Sequence, residues 1–141
     1  MEPHSIFSII IIALSIVFIA ILASAESSFI AVNKIRIRSL MEKGDSRAKA
    51  VQKLLDEHDK LFSAVILSGN LFTILATSIG TALALRYFGE DGIIIATIVM
   101  TVLTVVFGEL APKTFAVTYS EKVSLLLARP VAFYIRLISP L

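Results

Sequence analysis

Three long apolar runs constrain this 141-residue chain more than any other feature. Ser5 to Ala25 and Leu61 to Leu85 contain no charged residue, and Ile93 to Gly108 reaches comparable length once it continues through Glu109 to Pro112. About 18 consecutive apolar residues suffice for a helix to span the hydrocarbon core of a bilayer. The composition agrees, with 57% hydrophobic residues and a strongly positive mean hydropathy. The expectation is an all-α membrane protein, a single transmembrane domain over residues 1–141. Its three transmembrane helices would cover about 5–32, 60–86 and 93–117, leaving no room for a second folded domain. Cysteine is absent, so neither a disulfide framework nor a thiolate metal site is available.

The first run has some marks of a secretory signal, since Ile6 to Leu22 is followed by the small residues Ala23-Ser24-Ala25. The residues before it include Glu2 and His4 but no lysine or arginine, and the run is longer than a usual signal core. It reads as a retained helix.

Charge sets the orientation. The segment from Asn33 to Lys60 carries Lys34, Arg36, Arg38, Lys43, Arg47, Lys49, Lys53 and Lys60, whereas Arg86 to Gly92 holds one arginine against Glu90 and Asp91. The positive-inside rule makes the long connection cytoplasmic and the short one external. The N-terminus is then outside and the C-terminus inside, in a multi-pass protein of the plasma membrane. Lys113, just past the third run, fits that assignment.

The basic connection has helical order of its own. Ile35, Ile37, Leu40 and Met41 precede a break at Gly44-Asp45, and Ala48, Val51, Leu54 and Leu55 then recur at helical spacing, with Asp45 or Ser46 as N-cap. Juxtamembrane helices are expected over about 34–57 and again over about 120–139. In the second, Val123, Leu126, Leu127, Pro130, Val131, Tyr134, Leu137 and Ile138 repeat at threes and fours, interrupted by Lys122, Arg129 and Arg136. That pattern describes an amphipathic helix on the cytoplasmic surface, with Pro130 at a kink or the start of a second piece. Any one of these cations also has the simpler role of binding anionic headgroups of the lipid bilayer.

The polar residues inside the runs carry the functional argument. Ser24, Glu26, Ser27 and Ser28 gather near the cytoplasmic end of the first, Ser68-Gly69-Asn70 interrupts the second, and Gly108-Glu109-Leu110-Ala111-Pro112-Lys113 closes the third. Packed antiparallel, the three helices would bring these patches to similar depth. Burying a carboxylate in a bilayer costs roughly 2.5 kcal/mol or more, which makes Glu109 a candidate functional group. Pro112 has no N–H and cannot bond the carbonyl of Gly108 four residues back, so a freed oxygen could stand beside the charged one. Hydroxyl, amide, carbonyl and carboxylate oxygens are hard donors that suit Mg²⁺, Ca²⁺ or Na⁺. Each serine has an alternative as a hydrogen bond between helices, and Asn70 has the same alternative. Glu26 is open to three roles: a second ligand, a proton-linked group, or a partner for Lys34 or Lys113.

Together, Gly-Glu-x-x-Pro-Lys at the end of the third span, Gly69-Asn70 in the second and Ser24-Ala25-Glu26 in the first resemble the transmembrane domain of the CNNM/CorC family of magnesium transporters. The stretches Ala31-Val32-Asn33-Lys34 and Lys43-Gly44-Asp45-Ser46-Arg47-Ala48 resemble the family's connection between spans one and two. The resemblance implies a homodimer that binds dehydrated Mg²⁺ among the spans and exports it. It implies metal ligands at Ser24, Ser27, Ser28, Gly69, Asn70, Gly108 and Glu109, with Na⁺ as a possible coupling ion. Relatives usually continue into a cytoplasmic pair of CBS modules, which this sequence lacks. It also departs from the family at Thr73, where many relatives have a second asparagine, and at Ala23, where they tend to have serine.

The function expected is magnesium export by alternating access, the proline-broken third helix moving its cytoplasmic half against the rest. The alternative is a membrane-anchoring and dimerisation module with a structural cation and no transport of its own. No enzyme is expected: the spans show no nucleophile–base pair, and His4 and His58 lie outside the apolar runs. No nucleotide-binding motif is present, and no nucleic-acid partner is expected.

Overall fold

The computed structural model describes residues 3–138. Glu2 and the last residue of the helix expected over about 120–139 lie outside the described residues. Helix α1 (Pro3–Ala31) is followed by two short helices, α2 (Lys34–Glu42) and α3 (Ser46–Asp56), and by the long α4 (His58–Phe88). A 3₁₀ turn at Gly89–Asp91 leads into a third long helix made of α5 (Gly92–Val102), a π-helical stretch (Leu103–Leu110) and α6 (Ala111–Thr118); α7 (Ser120–Ile138) closes the described chain. No strand occurs among the described residues.

The breaks between helices have local causes. Asn33 Oδ1 accepts from the amides of Ile35 and Arg36 at 2.9 and 3.2 Å, which starts α2. Its end is a Schellman turn: Gly44, at φ +90°, and Asp45 donate to the carbonyls of Met41 and Leu40. Asp45, one of the two caps expected, then starts α3 by accepting from the amides of Arg47 and Ala48 at 2.9 and 3.4 Å. Partial burial pushes its carboxyl up. The two amides and the Arg47 guanidinium outweigh that and hold it below the ordinary carboxylate range.

α4 ends at Gly89, whose φ of +67° lets the chain reverse. α5 returns along α4 at close range, since a methyl on Gly92 would lie 2.5 Å from the Ala84 carbonyl oxygen. α1 runs antiparallel to α4: the Ser5 and Tyr87 hydroxyls meet at 2.6 Å at one end, and Phe18 stacks on Phe72 at 5.2 Å further along. Ile12, Ala76 and Met100 bury a small apolar cluster where the three long helices meet.

The third helix differs from expectation. In place of a break at Pro112, the helix is continuous from Gly92 to Thr118 and widens into the π stretch before the proline. The amide of Ala111 bonds the Val106 carbonyl five residues back. Pro112, the next residue, has no N–H with which to continue that i→i−5 series to the Phe107 carbonyl.

A second, larger core lies at the end of the bundle where α1 finishes and α4 begins. There α2, α3 and α7 pack on the long helices, with Phe29, Ile37, Val51 and Leu61 almost wholly buried. On α7 the buried face is Leu125, Ala128, Val131 and Ile135, whereas Leu126 and Leu137, placed in the expected apolar repeat, are 70% and 61% exposed. That helix carries apolar residues on two faces, so spacing alone could not choose between them. Pro130 lies inside one uninterrupted helix and starts no second piece.

Candidate cation site

A cavity of about 230 Å³ lies between α1, α4 and the third helix. α4 contributes Gly69, Asn70 and Thr73 above Val65 and Ile66, which follow from helical spacing on one face. α1 contributes Ile19, Leu22, Ala23 and Glu26, again at threes and fours. The third helix contributes Glu109 from the π stretch and Lys113 one turn later. The polar contents are thus two carboxylates, an amide, a hydroxyl and one ammonium group.

The chemistry of each group follows from its neighbours. Thr73 Oγ1 donates to the Gly69 carbonyl at 2.8 Å, which spends its proton and leaves its lone pairs for another partner. At Gly69 a methyl would meet nothing within 4 Å, so packing against a neighbour does not require glycine there; a side chain would fill open space beside the cavity. Glu26 is half-buried, while Asn70 and Glu109 are exposed where the cavity opens on the surface of the single chain. Among the described residues no ion pair within 4 Å joins Lys113 to either carboxylate. Nor does any group of three or more His, Cys, Asp or Glu with metal-binding geometry occur among them. A cation held here would need Asn70, Thr73 or backbone oxygens besides the carboxylates.

The expected ligands divide into two sets. Gly69, Asn70 and Glu109 face one another around the cavity. Ser24, Ser27 and Ser28 do not line it: Ser24 donates to the Pro112 carbonyl at 3.4 Å, Ser28 is buried and donates to Ala25 at 3.0 Å, and Ser27 is half-buried. Gly108 is buried against α1, where a methyl would come within 3.2 Å of Ile19 Cγ2. Helix contact accounts for that glycine. The cavity also brings in Glu26, for which a ligand role was one expectation, Thr73 and Ala23, the two positions of departure from the family, and Lys113. Glu26, three residues beyond Ala23 and seven beyond Ile19, shares their face of α1.

Among the described residues two apolar helical runs are long enough to cross a membrane, Pro3–Ala31 and His58–Thr118, with mean hydropathies of 3.2 and 2.4. The second folds back at Gly89–Asp91. Ile10, Leu14, Leu67, Leu71, Ile94 and Ile98 are all at least half exposed along these runs. Helices that are apolar outward as well as inward, enclosing an acidic cavity, define a helical membrane domain. Residues 9–141 match the cyclin M transmembrane N-terminal domain, and the chain belongs to this CNNM family.

The chain is 40% identical over 105 residues to the UPF0053 inner membrane protein YfjD of Escherichia coli, covering 74% of this chain and 24% of the relative. It is 36% identical over 132 residues to a UPF0053 protein of Haemophilus influenzae, covering 94% and 31%. A protein of the same organism named polyamine export protein is 30% identical over 151 residues, covering 98% and 34%. The chain therefore spans about a quarter to a third of the length of these curated relatives.

Proposed function

We propose that this chain is a three-pass plasma-membrane domain that exports Mg²⁺ through the cavity between α1, α4 and the third helix. The observation that carries the reading is the convergence of Glu109, Asn70, Gly69, Thr73 and Glu26 from three helices on one small space. Glu26 and Glu109 supply the charge for a divalent ion, and Asn70 and Thr73 supply neutral oxygens to replace water that Mg²⁺ releases reluctantly. Lys113 occupies the same space with one positive charge. It balances part of the acid when no ion is bound and must yield when one enters.

The π stretch offers a way to move. Conversion of Leu103–Leu110 from i→i−5 to i→i−4 bonding would rotate Glu109 relative to α4 without breaking the helix. That rotation would change which neighbouring helix and which opening of the cavity the carboxylate faces, a local rearrangement of the kind alternating access requires. The basic α2, α3 and α7 layer is cytoplasmic in this reading, and a second copy of the chain covers the exposed mouth at Asn70 and Glu109. A Na⁺ gradient is a candidate driving force.

A second reading is favoured by a specific observation: the cavity already admits the alkylammonium of Lys113, and one relative is named a polyamine export protein. The same carboxylates would then receive an organic polycation. Proteoliposomes loaded with a magnesium-sensitive dye, and in parallel with labelled polyamine, separate the two. Mg²⁺ flux abolished by Glu109→Ala supports the first reading, polyamine flux without Mg²⁺ flux supports the second, and a dimeric protein that moves neither supports the anchoring module.

A further inference from the structure

A groove of about 580 Å³, separate from the cation cavity, lies in the basal layer between α3, the start of α4 and α7. Its walls carry Lys53 and Lys60, seven residues apart across the α3–α4 junction, and Arg129 and Arg136, seven apart on α7. On α7 that spacing puts Arg129 and Arg136 on one side of the helix, two turns apart, while Lys53 and Lys60 reach the groove from either side of the α3–α4 junction. Glu57 is the one carboxylate in the lining, so four cations face a single acid. Among the described residues none of the four forms an ion pair within 4 Å. Arg129 donates to the Ser46 hydroxyl and is held in place by it. Four cations held together without carboxylate partners repel one another, and an anion with several oxygens relieves that repulsion.

We propose that this groove binds the phosphate of an anionic phospholipid headgroup. The surroundings favour a lipid over a soluble anion. Phe133, in the groove wall, is 62% exposed and belongs to an outward apolar stripe with Leu126, Pro130 and Leu137, spaced at i, i+4, i+7 and i+11 along α7. A headgroup seated among the four cations places its acyl chains along that stripe. The bound lipid ties α3 and α4 to α7 at the base of the helix that carries Gly69 and Asn70.

The test uses the purified chain in phosphatidylcholine nanodiscs, with and without phosphatidylglycerol, reading lipid retained by native mass spectrometry. The wild-type protein should retain phosphatidylglycerol in preference to phosphatidylcholine. Each neutralised cation should weaken retention about fivefold, so Lys53→Gln/Lys60→Gln/Arg136→Gln together should cost roughly a hundredfold. Lys122→Gln, which removes a basic residue outside the groove, should leave retention unchanged. Glu57→Gln should tighten it, an effect of opposite sign that a misfolded protein would not give. Equal retention by the triple variant, or an equal loss in Lys122→Gln, would overturn the site. Thermal protection by inorganic phosphate in pure phosphatidylcholine, matching that by phosphatidylglycerol, would overturn the headgroup assignment in favour of a soluble phosphate.

Discussion

The basal layer and the cation cavity are built on opposite rules, although they share α1 and α4. In the basal layer, capping side chains satisfy the starts of α2 and α3, and Ile37, Ala48 and Val51 are fully buried. Even the polar Ser68, 4% exposed, accepts a hydrogen bond from the Tyr134 hydroxyl at 2.7 Å. Two residues further along α4, Asn70 stands with Glu109 of the third helix at an open cavity, and the helix that carries Glu109 gives up α-helical bonding for eight residues. Well-satisfied structure provides stability, and unsatisfied polar groups held on such a frame are available to a ligand. The difference marks the basal layer as scaffold and supports the proposal that the cavity is the working part.

Substitutions can break that contrast. The largest stability loss should come from Ile37→Ala in the basal core, about 2–5 kcal/mol, read as a fall in unfolding midpoint in detergent. Asn70→Leu should do the reverse: flux falls by about a hundredfold, roughly 2.7 kcal/mol of lost transition-state binding, while the unfolding midpoint holds. A large destabilisation by Asn70→Leu would show that the cavity is scaffold too. Asn33→Ala, which removes the α2 cap, should cost about 1 kcal/mol without altering flux.

The smallest effect concerns pH. The Asp45 carboxyl is held below its ordinary value of 3.8 by the amides it caps, so its contribution is present above that value and is lost as pH falls through the lower folded one. Asp45→Asn should remove that contribution at neutral pH and change little at the acid end, which flattens the acid side of the stability profile. An equal loss at neutral and acid pH would contradict the capping role.

Much of this was legible in the sequence for physical reasons. Uncharged apolar runs announce long helices, Gly44-Asp45 announces a turn and cap, and the carboxylate beside proline at the end of such a run, Glu109, lines the cavity between them. The family followed from the same residues. The rotation of α1 was not legible, because a helix apolar on every side has no pattern to say which face meets its neighbours. Hence Ser24 and Ser28 turn out bonded to backbone, while Ala23 and Glu26 face the cavity. The π stretch was equally hidden, since Leu103–Leu110 is composed like any other apolar helix and only its hydrogen bonding distinguishes it.

The most direct test of the cavity as a cation path is Mg²⁺ flux in proteoliposomes with the isosteric substitution Glu109→Gln, which keeps size and removes charge. Flux should fall to the level of empty vesicles while the protein stays folded and in the membrane. Undiminished Mg²⁺ flux through Glu109→Gln would contradict a carboxylate-held ion at this site.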